Sequence, residues 1–309
     1  LLFVYIIYTS ILRGVGDSLT PLIALSLTSL MGLVITPILI AGYFGFPRLG
    51  IIAPAIATIL GYLAVLIFLV IYLNKKNHPL KMDRHLLRQI RHQPNLSKVI
   101  LRLGIPTGLQ MVTTSMAGLV IVGLVNRHGA EATAAYGAVN QVLNYIQFPA
   151  LSIAIAASIF AAQAIGAGKA ELLAKVTRTA LGMNLLITGI LVTLGYLFSK
   201  YLMALFITDP TVVVLGQQLL FIVLWAILFF GASAIFASIM RASGTVNVPM
   251  LINILAIVLI EVPCAYFFSQ WWGLQGIWYA YALAFVSLCI GQGAYYQFVW
   301  KKKTIQVLV

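Results

Sequence analysis

The chain has 309 residues, of which 62% are hydrophobic and only 8% are charged. A soluble protein of this length has too little interior to bury so much apolar side-chain surface, so the composition excludes that class. The formal net charge is +13, but the basic residues stand in short polar segments between long apolar runs. That placement is typical of membrane topology and argues against a nucleic-acid partner.

Long apolar runs predict helices that span a membrane, because backbone groups in lipid must be hydrogen-bonded within their own segment. Residues 1–12 form the end of a further helix that is too short to span alone. Alternating strands of about ten residues, which would indicate a membrane β-barrel, do not occur in the sequence. The predicted spans are 20–43, 50–73, 103–126, 132–165, 172–199, 211–240, 246–269 and 274–299.

The loops between these spans alternate between the two sides of the membrane. Sixteen of the 19 basic residues fall on one side, and three, Arg48, Arg127 and Lys200, fall on the other. Basic loops are retained in the cytoplasm, so the richer side, which includes the C-terminus, is predicted to be cytoplasmic. The same basic excess suits contact with anionic membrane lipids.

One polar segment occurs twice in the sequence, with differences. RGVGDSLTP at 13–21 returns as RASGTVNVP at 241–249, and three positions coincide at one offset: Arg13 with Arg241, Gly16 with Gly244, and Pro21 with Pro249. An even number of predicted helices separates the copies, so both cross the membrane in the same direction. The sequence therefore predicts a parallel internal repeat of six-helix lobes.

The repeat also predicts the domain organisation. Residues 1–73 are the end of an N-terminal lobe, 74–97 a cytoplasmic linker, 98–300 a complete C-terminal lobe, and 301–309 a cytoplasmic tail. We expect about three and a half helices of the first lobe to precede Leu1. Within the linker, DRHLLRQIRHQ places apolar and basic residues on different helical faces, which suits either a helix on the membrane surface or a soluble connector.

The repeated loop has a simple structural interpretation. Gly16 and Gly244 can end a helix in the left-handed conformation, Thr20 or Asn247 can cap the next helix, and a proline suits its first turn. A tight cytoplasmic hairpin explains these features. A further hypothesis is that the two loops form a gate. Its residues are Arg13, Gly16, Asp17, Pro21, Arg241, Gly244 and Pro249.

Of the six acidic residues, only Glu261 lies inside an apolar span. A carboxyl group within the membrane is costly and indicates function, such as binding a proton, a cation or a cationic substrate. The alternative is a protonated side chain bonded to a neighbouring helix, or to a carbonyl group that Pro263 leaves free.

Amide side chains provide a second candidate feature. Asn140, Asn144 and Gln147 share one helical face, with Gln141 beside them, and the preceding helix carries a similar stripe of Gln110, Thr113 and Thr114. The two stripes predict the wall of a wet cavity, and hydrogen bonds between helices are the alternative. Pro37, Pro106, Pro149 and Pro263 are predicted hinges.

Other chemistry has little support in the sequence. Cys264 and Cys289 both fall within apolar spans and are predicted to be packed free thiols. No metal-ligand cluster is visible, and GAGK at 166–169 lacks the spacing of a phosphate-binding loop. We therefore expect no catalytic residue, metal or cofactor.

Several of these segments together resemble the multidrug and toxic compound extrusion (MATE) transporters. They are the two repeated loops, GIPTGLQMV at 104–112, and the long helix at 134–169. The resemblance implies an all-α membrane bundle of two six-helix lobes around a central cavity. It also implies export of drugs or other organic cations in exchange for Na⁺ or H⁺, and a protein of the bacterial plasma membrane that we expect to be monomeric.

One departure leaves the coupling ion open. Some branches of the family carry cation-binding acids on the helix that corresponds to 103–126, which has none here.

A lipid-linked oligosaccharide flippase of related fold is the alternative function. It would need basic residues inside the cavity, and the predicted spans have no Lys or Arg in their central parts. A membrane enzyme would need clustered His, Asp or Ser residues, and a receptor would leave the polar stripes without a function.

Overall fold

A computed structural model describes residues 1–45, 47–76, 80 and 94–303. Within those residues every regular element is a helix, and the chain forms two compact units, Leu1–Pro94 and Asn95–Val309. The segment 83–93, for which a surface helix and a soluble connector were the alternatives, and the last residues of the tail lie outside the described residues.

The first unit is built from three helices. They are α1 (Leu2–Gly14), α2 (Leu19–Ala41) and α3 (Ala53–Lys75), and a 3₁₀ turn at Gly50–Ile52 leads into α3. Helices α2 and α3 form a hairpin whose core includes Ala24, Val65 and Leu69, and Leu12 of α1 is buried with them.

The second unit contains six stretches of helix long enough to span a membrane, two of which are interrupted. A 3₁₀ turn at Leu224–Ala226 joins α8 to α9, and a π-helical segment at Ala256–Glu261 joins α10 to α11. The helices are α4 (Pro94–Asn126), α5 (Ala130–Gly166), α6 (Leu172–Leu197), α7 (Ser199–Ala204), α8 (Pro210–Val223), α9 (Ile227–Ala242), α10 (Asn247–Leu255), α11 (Val262–Trp272) and α12 (Leu274–Phe298).

The spans agree closely with those predicted from hydropathy. The described residues contain eight helical stretches that are long and apolar enough to cross a membrane. The largest difference is at α4, which begins at Pro94 rather than near residue 103. Hydropathy marks only the apolar part of a helix, and the polar turns from Asn95 to Arg102 continue α4 beyond it.

Helix α9 lies at the centre of the second unit, in contact with α5, α6 and α12. Its approach to α5 is close because α5 presents a stripe of alanines, including Ala154, Ala157 and Ala161, at helical spacing. Ile235 and Ile239 of α9 join these alanines in one apolar cluster. Helix packing in lipid depends on such close contact, because the apolar solvent gives little hydrophobic driving force.

Helix α4 is covered much less than its neighbours. No residue from 94 to 116 is buried, whereas Ala117, Ile121, Leu124 and Val125 reach the core of the unit near its other end. Most of α4 therefore presents its side chains to surroundings other than this unit.

Candidate functional site

The amides of α5 lie on the side of that helix that faces away from the core. Val139, Leu143 and Ile146 are buried, whereas Gln141 and Asn144 between them are exposed. Asn140 and Gln147 are half-buried, and the Nδ2 group of Asn140 donates a hydrogen bond to the carbonyl oxygen of Tyr136, at 3.0 Å. The stripe thus forms a polar face on an otherwise apolar helix.

The matching stripe on α4 is also turned outward. Gln110 and Thr113 are half-buried and Thr114 is exposed. The Thr113 hydroxyl donates to the carbonyl oxygen of Leu109 at 2.9 Å, and that of Thr114 donates to the carbonyl oxygen of Gln110 at 3.0 Å. Among the described residues no hydrogen bond joins the two stripes, which weakens the alternative that they hold α4 and α5 together.

Glu261 is the last residue of the π-helical segment, and its side chain is only 9% exposed. The segment packs against α12 and precedes Pro263, which has no amide proton to continue the regular ladder. Wide π turns inside α-helices are frequent at functional sites. The carboxyl group is therefore held at a local irregularity of an otherwise apolar span.

Two tyrosines form a pair beside the amide stripe. The hydroxyl groups of Tyr136 on α5 and Tyr281 on α12 lie 3.0 Å apart, and the π-helical segment that ends at Glu261 packs against α12. Asn140 bonds to the backbone of Tyr136, so the tyrosine pair lies one helical turn from the amide stripe. Trp278 packs against both rings, with centroid distances of 5.4 and 5.5 Å.

Sequence reasoning missed these tyrosines. Tyr136 lies one helical turn before Asn140, so extending the amide stripe by one turn would have included it. Tyr281 has no such signal, because it meets Tyr136 across 145 positions of the chain.

The repeated loops end their helices as expected, but both capping predictions were wrong. Asn247 is the first residue of α10, and within the described part of the chain no side chain caps that helix. The carboxylate of Asp17, not Thr20, caps α2: it accepts the backbone N–H of Thr20 at 3.0 Å and its hydroxyl at 2.6 Å. Thr20 is already within the first turn of the helix, where its own side chain cannot serve as the cap. Arg13 bonds back to the carbonyl oxygen of Thr9 at 3.3 Å.

The second copy is tied to the last helix of its unit. The carbonyl oxygen of Pro249 accepts a hydrogen bond from Nε2 of the buried Gln292, at 2.9 Å. Pro249 is the third residue of α10, as Pro21 is the third residue of α2. Arg241 stands in the last turn of α9 and is half-buried.

The four predicted hinge prolines have different surroundings. Pro37, Pro106 and Pro149 lie inside helices that continue past them without a change of type. Pro263 alone, among these four, follows a change from π to α geometry. A hinge at Pro263 thus has a local structural counterpart, and hinges at the other three stay predictions.

A groove of about 610 Å³ between α5 and α6 lies apart from the predicted site. Phe160 and Met183 line it, together with Lys175 at one end. Its walls are almost entirely apolar and none of the predicted amides contributes to them. Cys264 and Cys289 are free thiols, each half-buried.

Comparison with known proteins decides the family. The family model MatE matches residues 106–267. The probable multidrug resistance protein YoeA of Bacillus subtilis is 43% identical over 311 residues, which cover 100% of this chain and 67% of that protein. The chain belongs to the MATE family. Members of this family are transporters and not enzymes, and the expected fold class, an all-α membrane bundle of MATE type, is confirmed.

Further relatives and solved structures agree with this assignment. The probable multidrug resistance protein YpnP of Bacillus subtilis is 30% identical, over 97% of this chain and 66% of that protein. A mutant of the Vibrio cholerae MATE transporter VcmN has the same fold, with a TM-score of 0.85 and 20% identity, over 97% of this chain and 67% of that one. The chain thus spans about two thirds of the length of these MATE proteins and is an integral, multi-pass membrane protein.

Proposed function

We propose that the chain is part of a secondary antiporter that exports drugs or other organic cations in exchange for Na⁺ or H⁺. Its place is the bacterial plasma membrane, with the C-terminus in the cytoplasm, as the distribution of basic loops predicts. Membership of the MATE family supports the transport class. The buried carboxyl group of Glu261, on a segment that packs against the helix of Tyr281, carries the assignment of the site, and the hydroxyl pair of Tyr281 and Tyr136 beside the amide stripe supports it.

Glu261 supplies the coupling chemistry in this proposal. A carboxyl group in an apolar span is stable when it holds a proton or pairs with a cation, and is costly when it is charged and alone. Binding of an organic cation near Glu261 therefore favours release of the proton or metal ion, and rebinding of that ion favours release of the cation. Alternating access of the two lobes turns this competition into exchange.

The α5 stripe provides the contacts for the substrate. Asn140, Asn144 and Gln147 offer hydrogen-bond donors and acceptors without a charge that would repel a cation. Tyr145, on the same exposed side, and the exposed Met111 and Met116 of α4 offer aromatic and adaptable apolar surface. Such a surface suits cations of varied shape, which is what multidrug export requires.

Efflux of a fluorescent organic cation tests the proposal, in cells that lack other exporters and express the complete gene. We expect Glu261→Gln to abolish efflux of the cation. Asn144→Ala should reduce efflux by about three- to tenfold, which corresponds to the free energy of one polar contact. Glu131→Gln and Gln270→Ala are matched controls, because both residues are exposed at helix ends, and both variants should export normally.

The outcomes separate the site from the function. Normal export by both Glu261→Gln and Asn144→Ala would show that the site is elsewhere, while the exporter function would stand. Failure of the membrane-inserted wild-type protein to lower the level of any organic cation would contradict the function itself. An oligosaccharide flippase has less support, because the apolar spans contain no basic residue deep within them to meet a pyrophosphate group.

A further inference from the structure

A second groove, of about 380 Å³, opens at the end of the second unit where α6 begins and α12 ends. Leu181 of α6 and Phe236 of α9 form an apolar wall, and Arg178 and Lys301 stand at the rim. The groove shares no lining residue with the polar series of Glu261, Tyr281, Tyr136 and Asn140, and its α12 residues begin twelve positions after Tyr281.

The two charged residues that line this groove are both basic and both exposed. Among the described residues neither side chain has a hydrogen bond or an ion pair. Arg178 comes from α6 and Lys301 from the 3₁₀ turn after α12, so two separate elements bring the charges to one rim. No acidic side chain lines the groove, so its field attracts an anion.

The base of the groove is fixed by aromatic packing. Tyr296 stacks on Trp300, with centroids 5.0 Å apart, and its ring lies 5.1 Å from that of Phe236. Its hydroxyl group lies 2.7 Å from that of Thr177, which joins α12 to α6. Trp300 in turn donates to the Ser243 hydroxyl at 3.0 Å, so the base is held in place from three helices.

Gly293 leaves room beside the ring of Phe236. A Cβ atom at this position would lie 3.3 Å from the Phe236 ring, closer than nearly all ordinary contacts. A glycine here lets α12 approach α9 while the surface beside Phe236 stays free of side-chain bulk. The apolar surface beside Phe236 is therefore accessible to a flexible hydrocarbon chain.

We propose that this groove binds an anionic phospholipid, with the phosphate between Arg178 and Lys301 and an acyl chain along Leu181 and Phe236. A guanidinium group binds phosphate oxygens in a bidentate manner, and a lysine adds a mobile charge. Basic pockets between membrane helices with apolar walls match the two halves of a lipid. A free phosphate ion would use the rim but leave the apolar wall exposed. The proposal does not depend on the export function.

Native mass spectrometry of the purified full-length protein tests this site. Phosphatidylglycerol and phosphatidylcholine are titrated separately in detergent, and the bound copies are counted. For the double variant Arg178→Gln/Lys301→Gln we expect the affinity for phosphatidylglycerol to fall by about tenfold or more, because each basic residue near a charged lipid surface contributes several-fold. The binding of phosphatidylcholine should not change.

Two further variants separate a built site from general attraction. Lys169→Gln/Lys302→Gln removes the same charge from the same end of the unit but outside the groove, and should leave binding within about twofold. Ala174→Phe keeps both rim charges and fills the groove wall, and should also weaken phosphatidylglycerol binding. Equal losses in the two double variants, or undiminished binding by Ala174→Phe, would overturn the proposal. Thermal unfolding without lipid checks that each variant is folded. If Arg178→Gln/Lys301→Gln does not fold, the Ala174→Phe variant still tests the proposal.

Discussion

Gly231 of α9 faces the side chain of Asn184 of α6 so closely that a methyl group on the glycine would collide with the amide. Asn184 is only 3% exposed, and two hydrogen bonds hold its side chain in this position. Its Nδ2 group donates to the carbonyl oxygen of Leu228 at 3.3 Å, and its oxygen accepts from Thr188 at 3.0 Å. The contact between these helices therefore depends on the absence of a side chain at position 231.

We predict that Gly231→Ala destabilises the protein by about 1–3 kcal/mol, the usual cost of overpacking. An alanine in the middle of a helix is ordinarily better than glycine by about 0.5–1 kcal/mol, so the expected sign is opposite to that of helix propensity. Thermal unfolding in detergent measures the change. Gly118→Ala is the control, because a Cβ atom there meets nothing within 4 Å. A stable Gly231→Ala protein would contradict the close contact.

The two repeated loops have the same backbone geometry, which leads to a second prediction. Gly16 and Gly244 have φ of 93° and 80°, and each N–H bonds to the carbonyl oxygen of the repeated arginine, at 3.0 and 2.9 Å. The following N–H groups, of Asp17 and Thr245, bond to Leu12 and Met240 at 3.0 and 3.1 Å. Alanine at either glycine should cost about 1–2 kcal/mol, because left-handed backbone is strained for residues with a Cβ atom.

Gly14→Ala is the matched control for both loops, since Gly14 is helical and has open space around it. The unfolding midpoint should fall for Gly16→Ala and Gly244→Ala and stay or rise for Gly14→Ala. A loss at one loop and none at the other would mean that the two copies are not structurally equivalent.

The hydrogen bond between Tyr136 and Tyr281 should couple the two residues energetically. In a cycle of Tyr136→Phe, Tyr281→Phe and the double variant, we expect a coupling of about 0.5–1.5 kcal/mol in stability. Tyr281→Phe should also weaken export more than Tyr196→Phe, whose hydroxyl instead bonds to the backbone of Phe221. Strictly additive effects of the two phenylalanine substitutions would show that the hydroxyl groups do not interact.

Asp209 provides a prediction that depends on pH. Its Oδ1 atom accepts the hydroxyl of Thr211 at 2.7 Å and the backbone N–H at 2.8 Å, and these bonds hold the pKa of Asp209 below its ordinary value. A depressed pKa in the folded state means that the cap stabilises above the ordinary pKa and is lost as the pH falls through the lower, folded-state value.

Asp209→Ala should therefore expose the first turn of α8 at neutral pH, with faster hydrogen exchange from residue 211 onward. The difference from wild type should shrink as the pH falls below the ordinary value of 3.8. An undiminished difference at low pH would show that the carboxylate is not the group that caps the helix. Glu131→Ala is the control, because that residue is exposed within the first turn of α5.

The spans were predictable because the length of an apolar run is set by the membrane and is visible in composition alone. The π turn before Pro263 was not, since a helix that is apolar on all sides carries no periodic signal from which its phase could be read. The amide stripe was visible because polar residues are rare in this chain. The contact of its helix with Tyr281 was hidden, because Tyr281 belongs to a different helix and looks in sequence like ordinary packing.

The most direct test of the proposed site is whether water reaches the α5 stripe within the membrane. With Cys264 and Cys289 replaced by serine, Asn144→Cys is treated in cells with a membrane-impermeant thiol reagent, and Leu186→Cys, on the exposed apolar side of α6, is the control. We predict that the cysteine at 144 is labelled and is protected by an exported organic cation, whereas the cysteine at 186 is not labelled. Equal resistance of both positions to the reagent would mean that the stripe does not line an aqueous cavity, and would contradict the assignment.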